Sequence, residues 1–403
     1  MTIASDAELD ALKTKERARL GWVGLALTPE MGPTRIAKAV ARLSADGGGA
    51  ERVFEASLTE LESVGLPARA AQFVFEGRAL AAAEDEAQRV AAAGGSFVTR
   101  EDAGYPQRLL EIYDPPAVLW VRGDATLLAR PGIAVVGTRH PSPYGLGMAE
   151  MLARDLAHRR LTIVSGMARG VDSAAHKGAL DAGGKTVAVW GTGIDVVYPK
   201  ENKKLAERIV ESGGTIVSEF ALGTFPAPQN FPLRNRILSG MSVGVLVVEA
   251  GEYSGTRITA RCAMEQNRDV YAVPGNVTNK NAWGPNTLIK QGAKLTATWE
   301  DVWEDLPSTV KRELEAEMGV AGPDESNAGG AASLFNDSDQ RPLAEQERVV
   351  LERLRRDESM QLDELIETLE ARLGSAEIFT ALFELELRGQ VKQMPGKNYV
   401  RCF

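Results

Sequence analysis

Between Ile133 and Val273, four hydrophobic runs each stop abruptly at a glycine-rich turn: IAVVGTR, LTIVSGMARG, TVAVWGTG and VGVLVVEAGEYSGT. A parallel strand buried on both faces reads as such a run, and helical stretches between strands imply βαβ units. The expectation is an α/β domain with a parallel sheet. Ligands of such sheets bind beyond the carboxyl ends of the strands. Those ends carry Gly137–Arg139, Ser165–Arg169, Gly191–Gly193 and Gly251–Thr256, which are small residues, hydroxyls and arginines. Turns of this kind expose backbone N–H groups at helix starts and suit phosphate oxygens.

The chain of 403 residues exceeds a single ordinary core, so two or three domains are expected. Two cysteines make neither a disulfide framework nor a metal cluster. No apolar run is long enough to span a bilayer, and the acidic start MTIASDAELDALK lacks the regions of a signal peptide. A cytoplasmic location without membrane attachment is expected. The net charge of −9 argues against a polyanionic ligand, but its distribution does not. Residues 131–300 hold 19 Lys and Arg against 14 Asp and Glu, while the remainder holds 27 against 41. The local field steers a polyanion.

Residues 1–105 read as a helical domain with Ala-rich amphipathic stretches. Within it, LTPEMGPTRIAKAVARL and LTELESVGLPARAAQFV each pair two helices across a turn holding Gly32 or Gly65. These are either SAM-like or helix-hairpin-helix units that offer N–H groups to a phosphate, or plain helix turns. Residues 106–310 form the sheet domain, and 311–341, rich in Gly, Ala, Ser, Asn and Asp, read as a flexible linker. Residues 342–403 spell a winged helix-turn-helix, whose third helix often reads DNA. Here that helix, SAEIFTALFELELRG, carries Glu377, Glu384 and Glu386, and the unit has 9 basic against 12 acidic residues. Phosphate repels such a helix, so a protein-contact or accessory role is expected.

Several strand-end motifs carry chemistry. Gly137-Thr138-Arg139 fills the first βα turn, where an arginine can grip a phosphate bidentately. GTRHPSPYG lacks the G-x-G-x-x-G of a dinucleotide site. Asp172 and His176, four apart on the helix after SGMARG, suit a hydrogen-bonded pair bracing that loop better than a metal site, since no third ligand is near. The GGKT stretch at Lys185 has the wrong spacing for a P-loop and precedes a strand instead of a helix. Lys200 follows Tyr198-Pro199, and FPLRNR sets Arg234, Asn235 and Arg236 at a helix start. One of those arginines pairing with Glu219 or Glu249 inside the fold is the alternative to ligand contact. Tyr144, Tyr198 and Phe231 stand near the turns, either to stack bases or to fill core.

In their order, GTRHPSPYG, SGMARGVDSAAHKGAL, GTGIDVVYPKEN, SEF, FPLRNRILSG, VVEAGEYSGTRITA, AVPGN and GPNTLIKQGA resemble the DNA-processing protein A (DprA, or Smf) family nearly end to end of the sheet domain. The upstream YPQRLLEIYDPPAVLWVRGD fits its entry segment. The resemblance implies an extended Rossmann-like sheet domain flanked by an N-terminal SAM-like or helix-hairpin-helix domain and a C-terminal winged helix. It also implies a dimeric, non-enzymatic protein without cofactor, which protects incoming single-stranded DNA in natural transformation and loads the RecA recombinase. By motif position, Arg139 and Lys200 would be the principal DNA contacts. Ser165, Gly166, Arg169, Asn202, Arg234, Asn235, Arg236, Gly255 and Thr259 would be further ones. Family members dimerise through the C-terminal part of the sheet domain, with RecA contact in the same region.

Two rivals remain on the residues alone. EAGEYSGT resembles the glycine-rich loop of phosphoribohydrolases, but Thr259 stands where their catalytic acid is wanted. A sequence-specific duplex reader acting through the winged helix is disfavoured by the acidic third helix.

Overall fold

The computed structural model describes residues 6–45, 49–319, 344–356, 358–370, 372–388, 390–394 and 396–401. Its centre is a nine-stranded sheet: β1 (Gly95–Thr99), β2 (Val118–Gly123), β3 (Gly132–Val136), β4 (Thr162–Ser165), β5 (Thr186–Trp190), β6 (Thr215–Ser218), β7 (Gly244–Val247), β8 (Asp269–Ala272) and β9 (Lys294–Leu295). The spatial order is β1-β2-β6-β5-β4-β3-β7-β8-β9. Strands from β6 across to β9 run parallel, whereas β1 and β2 are antiparallel additions beside β6.

The four runs are the central strands, and their alternation feeds two cores. Ile133 and Val135 of β3, Ile163 of β4 and Leu246 of β7 face one layer of helices. Ala134, Val136, Val164, Val187, Val189, Val245 and Val247 face the other. Each fully buried Val, Leu or Ile contributes about 1.5–3 kcal/mol, so a central strand without polar residues is stabilised on both faces. Chain order reverses at β3: β4, β5 and β6 lie to one side of it and β7, β8 and β9 to the other. A crevice opens at such a reversal, at the carboxyl ends of the two diverging strands.

The N-terminal helices span Asp6–Leu27, Pro33–Leu43, Leu58–Ser63, Ala68–Phe75 and Arg78–Ala92. Gly65 turns at φ +99°, a conformation open chiefly to glycine. This layer shares a core with Trp120, Trp190 and Ile216 of the sheet. Buried Glu86 locks it down, accepting from Trp120 Nε1 at 3.0 Å and Leu222 N at 2.7 Å. The expected boundary at 105 is therefore corrected. The helical unit ends at Ala92, Gly94 turns at φ +68°, and residues 95–99 pair with β2 in the sheet.

The linker expected from 311 also begins later. Ser308–Glu317 is a helix whose Val310 and Leu314 are buried in the sheet's core, and this apolar spacing outweighs the polar composition around it. The rest of the expected linker lies outside the described residues. The C-terminal unit has helices at Glu345–Arg353, Leu362–Leu369 and Ser375–Leu387. Its small sheet follows the order β10 (Met360–Gln361), β12 (Asn398–Arg401), β11 (Val391–Met394). It is a winged helix with its own core around Val350, Leu365 and Leu385. Among the described residues, no helix is long and apolar enough to cross a membrane.

Candidate nucleic-acid interface

The loop after β4 is the frame of the site. It contains Met167 at φ 60° and Gly170 at φ 74°, conformations that need outside support. Three side chains hold it. Asp172 accepts from the N–H groups of Gly166 and Ala168 at 3.1 and 3.2 Å. Asn202 donates to the Met167 carbonyl at 2.8 Å and to Ser173 Oγ at 2.9 Å. Arg234 donates to the carbonyls of Gly166, at 2.7 Å, and Val189, which ties the ends of β4 and β5 together. Its guanidinium lies where a side chain at residue 166 would be, so any side chain there would displace Arg234 from these carbonyls.

Burial governs the charge of this frame. Arg234 is 5% exposed, and its burial lowers its pKa to about 10 despite nearby Asp172, so it stays cationic at neutral pH. Burial raises Asp172 against the pull of Arg234 and two N–H groups. The expected Asp172–His176 pair is not what braces the loop, because Asp172 does so together with Asn202 and Arg234 and not with His176. His176 turns its Nδ1 to Thr186 Oγ1 at 2.7 Å, and burial depresses its pKa to about 3.

Over this frame stands an exposed rim. Arg139, Arg169 and Lys200 are all exposed, from the ends of β3 and β4 and the turn after β5. Arg169 pairs with Glu201, while Lys200 makes no ion pair among the described residues. Tyr198 and Phe231 stack at 5.4 Å between centroids, tilted by 38°. The Arg139 guanidinium lies 5.9 Å from the Phe231 ring, at the edge of cation–π range. Arg139, Arg169, Tyr198, Phe231, Trp190 and Arg234 line one narrow cavity of about 50 Å³. That is room for water and not for a base.

A second, open cavity of about 570 Å³ adjoins it at the ends of β3 and β7. Arg139, Ala168, Phe231 and Arg234 form the shared wall, and Asn235, Gly255 and Thr259 belong to the second cavity alone. The expected contacts thus divide. Arg139, Arg169, Lys200, Asn235, Gly255 and Thr259 border open space. Gly166, Asn202 and Arg234 shape the loop beneath it.

Ser165 and Arg236 are internal. Ser165 is fully buried and donates to the Val135 carbonyl at 2.6 Å. Arg236 Nε donates to Asp114 at 2.8 Å, and its terminal nitrogen reaches both Glu219 oxygens at 2.7 and 2.9 Å. The alternative of an internal pair with Glu219 therefore holds for Arg236. Glu249 instead accepts from Ser142 N at 2.8 Å. Tyr144 is a fold residue, donating its hydroxyl to the Pro274 carbonyl at 2.8 Å. Trp190, Thr192 and Asn281 also line these cavities, and sequence alone assigns them no role. For Trp190 and Thr192 the available signal was their place at the end of β5, whereas Asn281 lies in the short helical turn Lys280–Ala282.

Residues 96–307 match the family described as DNA recombination-mediator protein A, and residues 336–397 match the DprA winged helix domain. Protein Smf of Escherichia coli (strain K12) is 41% identical over 299 residues, covering 74% of this chain and 75% of the relative. The chain belongs to the DprA/Smf family. The DNA processing protein DprA of Bacillus subtilis (strain 168) is 44% identical over 204 residues, 50% of this chain and 68% of that one. Among solved structures, DprA from Streptococcus pneumoniae superposes with a TM-score of 0.62 at 35% identity, covering 72% of this chain and 98% of the other. The DprA match places the rim, its frame and both cavities inside the shared sheet domain.

Proposed function

We propose that this DprA-family chain is a cytoplasmic, non-enzymatic mediator that binds single-stranded DNA, protects incoming strands in natural transformation and loads RecA onto them as a homodimer. The observation that carries the strand-binding part is the juxtaposition of three exposed cations with an aromatic pair, exposed Tyr198 and half-buried Phe231, along one sheet edge. Cations neutralise backbone phosphates whatever the sequence, and aromatic faces accept any unpaired base. A duplex hides its bases from Tyr198 and Phe231, so single strands are preferred. The RecA and dimer parts rest on family membership.

The test measures labelled oligothymidine and a duplex of equal length against the full chain, with hydrolysis of a nucleoside monophosphate followed in parallel. The reading expects tight single-strand binding, weaker duplex binding and no released base. Equal affinity for the duplex contradicts it, and steady release of base would transfer the site to the phosphoribohydrolase class. Stimulation of RecA filament growth on strands already coated by a single-strand-binding protein tests the loading step.

A further inference from the structure

We infer that the outward face of the winged helix's third helix docks a basic, amphipathic segment of another protein, with Phe379 and Phe383 as its anchors. The helix Ser375–Leu387 buries Ile378, Ala381, Leu382 and Leu385 in the unit's own core. Away from that core, Phe379 is 49% exposed and Phe383 61%. Four residues apart, the two lie one above the other on the same face. A solvated helix face is ordinarily polar, and a lone exposed apolar residue needs no explanation. Two phenylalanines in line form a continuous apolar strip, which gains free energy when a partner takes it out of water.

Charge identifies what can cover that strip. Residues 362–388, the second and third helices with their turn, hold seven acids against two cations, Arg372 and Arg388. The rest of the unit, 342–361 and 389–403, holds five acids against seven cations. The acidic half is thus the half that bears the phenylalanines, and Asp363, Glu367, Glu377 and Glu386 in it are exposed. Such a face repels DNA and an anionic membrane alike, and a second copy of it would repel the first. A basic segment with apolar residues one helical turn apart satisfies both features. Its apolar side covers the rings while its cations meet the surrounding acids. Aromatic anchors at the centre with charge at the rim is the usual anatomy of a protein interface. The unit turns its other half to the sheet domain: Lys392, Met394, Val400 and Arg401 line a cavity of about 180 Å³ with Leu146 and Glu150 of the helix Pro143–His158. Neither phenylalanine borders that cavity, so both stay open in the full chain.

Three synthetic helical peptides serve as probes of the full chain. One sets leucines at helical spacing among lysines, the second sets the same leucines among glutamates, and the third has lysines with glutamine in place of leucine. Each is titrated against the wild type, Phe379→Ala, Phe383→Ala and, as a control at an exposed ring of the N-terminal helices, Phe75→Ala. The leucine–lysine peptide is expected to bind the wild type and Phe75→Ala equally, and Phe379→Ala and Phe383→Ala about tenfold more weakly. The other two peptides are expected to bind the wild type at least about tenfold more weakly than it does. Equal affinity of the leucine–lysine peptide for the wild type and both variants overturns the assignment, as does equal binding by the glutamate twin or the leucine-free peptide. Self-association of the chain that is lost in Phe383→Ala overturns it too, making the face an interface between copies. Thermal melting checks the variants. Should an alanine variant fold poorly, Glu386→Lys leaves both rings in place and is expected to weaken the leucine–lysine peptide about threefold, and unchanged affinity there overturns the assignment. Oligothymidine affinity is expected to be the same in all these variants, so failure of the strand-binding reading and failure of this assignment are read separately.

Discussion

Arg234 and Arg236 sit two residues apart on one helix, and Arg139 shares a cavity wall with Arg234, yet the three have different physical situations. Arg236 is enclosed by Asp114 and Glu219 and Arg234 by two carbonyls, whereas Arg139 is exposed with only an aromatic face beside it. A buried arginine holds its position because removing it leaves carbonyls or carboxylates unpaired. An exposed one keeps its hydrogen-bond donors for a ligand. The buried pair sets the shape of the strand edge, and in the proposed function the rim supplies its affinity.

The sharpest way to break this division is at Arg236. Arg236→Ala leaves Asp114 and Glu219 without their cation and is expected to destabilise the fold by about 3 kcal/mol, read by denaturant unfolding. Strand affinity of the remaining folded protein should change little. At the rim the pattern reverses: Arg139→Ala or Lys200→Ala should weaken single-strand binding by about 1–3 kcal/mol with an unchanged melting temperature. A melting shift without an affinity loss would move Arg139 into the frame.

A separate effect, confined to acid, concerns His176. Its pKa is about 3 in the fold against 6.5 as the ordinary value, so the unfolded chain binds the extra proton between those limits. Its contribution is thus fully present above pH 6.5 and is lost as pH falls towards 3, at up to about 1.4 kcal/mol per pH unit. His176→Gln should flatten that part of the stability profile, and a profile identical to wild type would contradict the burial argument. The smallest effect is expected from removing residues 342–403. The acidic helix of that unit keeps it off phosphate, so strand affinity should stay within about twofold, or roughly 0.4 kcal/mol. A collapse of binding would move DNA onto the tail.

Much of the fold was legible because the parallel strands announce themselves. Runs such as IAVV and VGVLVV have no polar face, and a glycine turn follows each. The antiparallel edge was less so: β1 (GSFVT) is short, half-exposed and follows a helix-like register, so its pairing with β2 comes from tertiary contact and not from local pattern. Among site residues, motif position placed side chains at the right strand ends but not at the right depth. Ser165 and Arg139 both follow a hydrophobic strand, yet one hydroxyl turns back to Val135 while the other side chain reaches solvent. The partner that decides such cases lies tens of residues away, as Asp114 does from Arg236, and no local spacing encodes it.

The account stands or falls on where the strand's phosphates are neutralised. The direct measurement is the salt dependence of oligothymidine binding to the wild type and to Arg139→Ala, with log affinity taken against log salt. The account predicts a steep slope in the wild type that is shallower by about 0.7 in the variant, the loss of one phosphate contact on a single strand. Parallel slopes, or no binding at low salt, would contradict it.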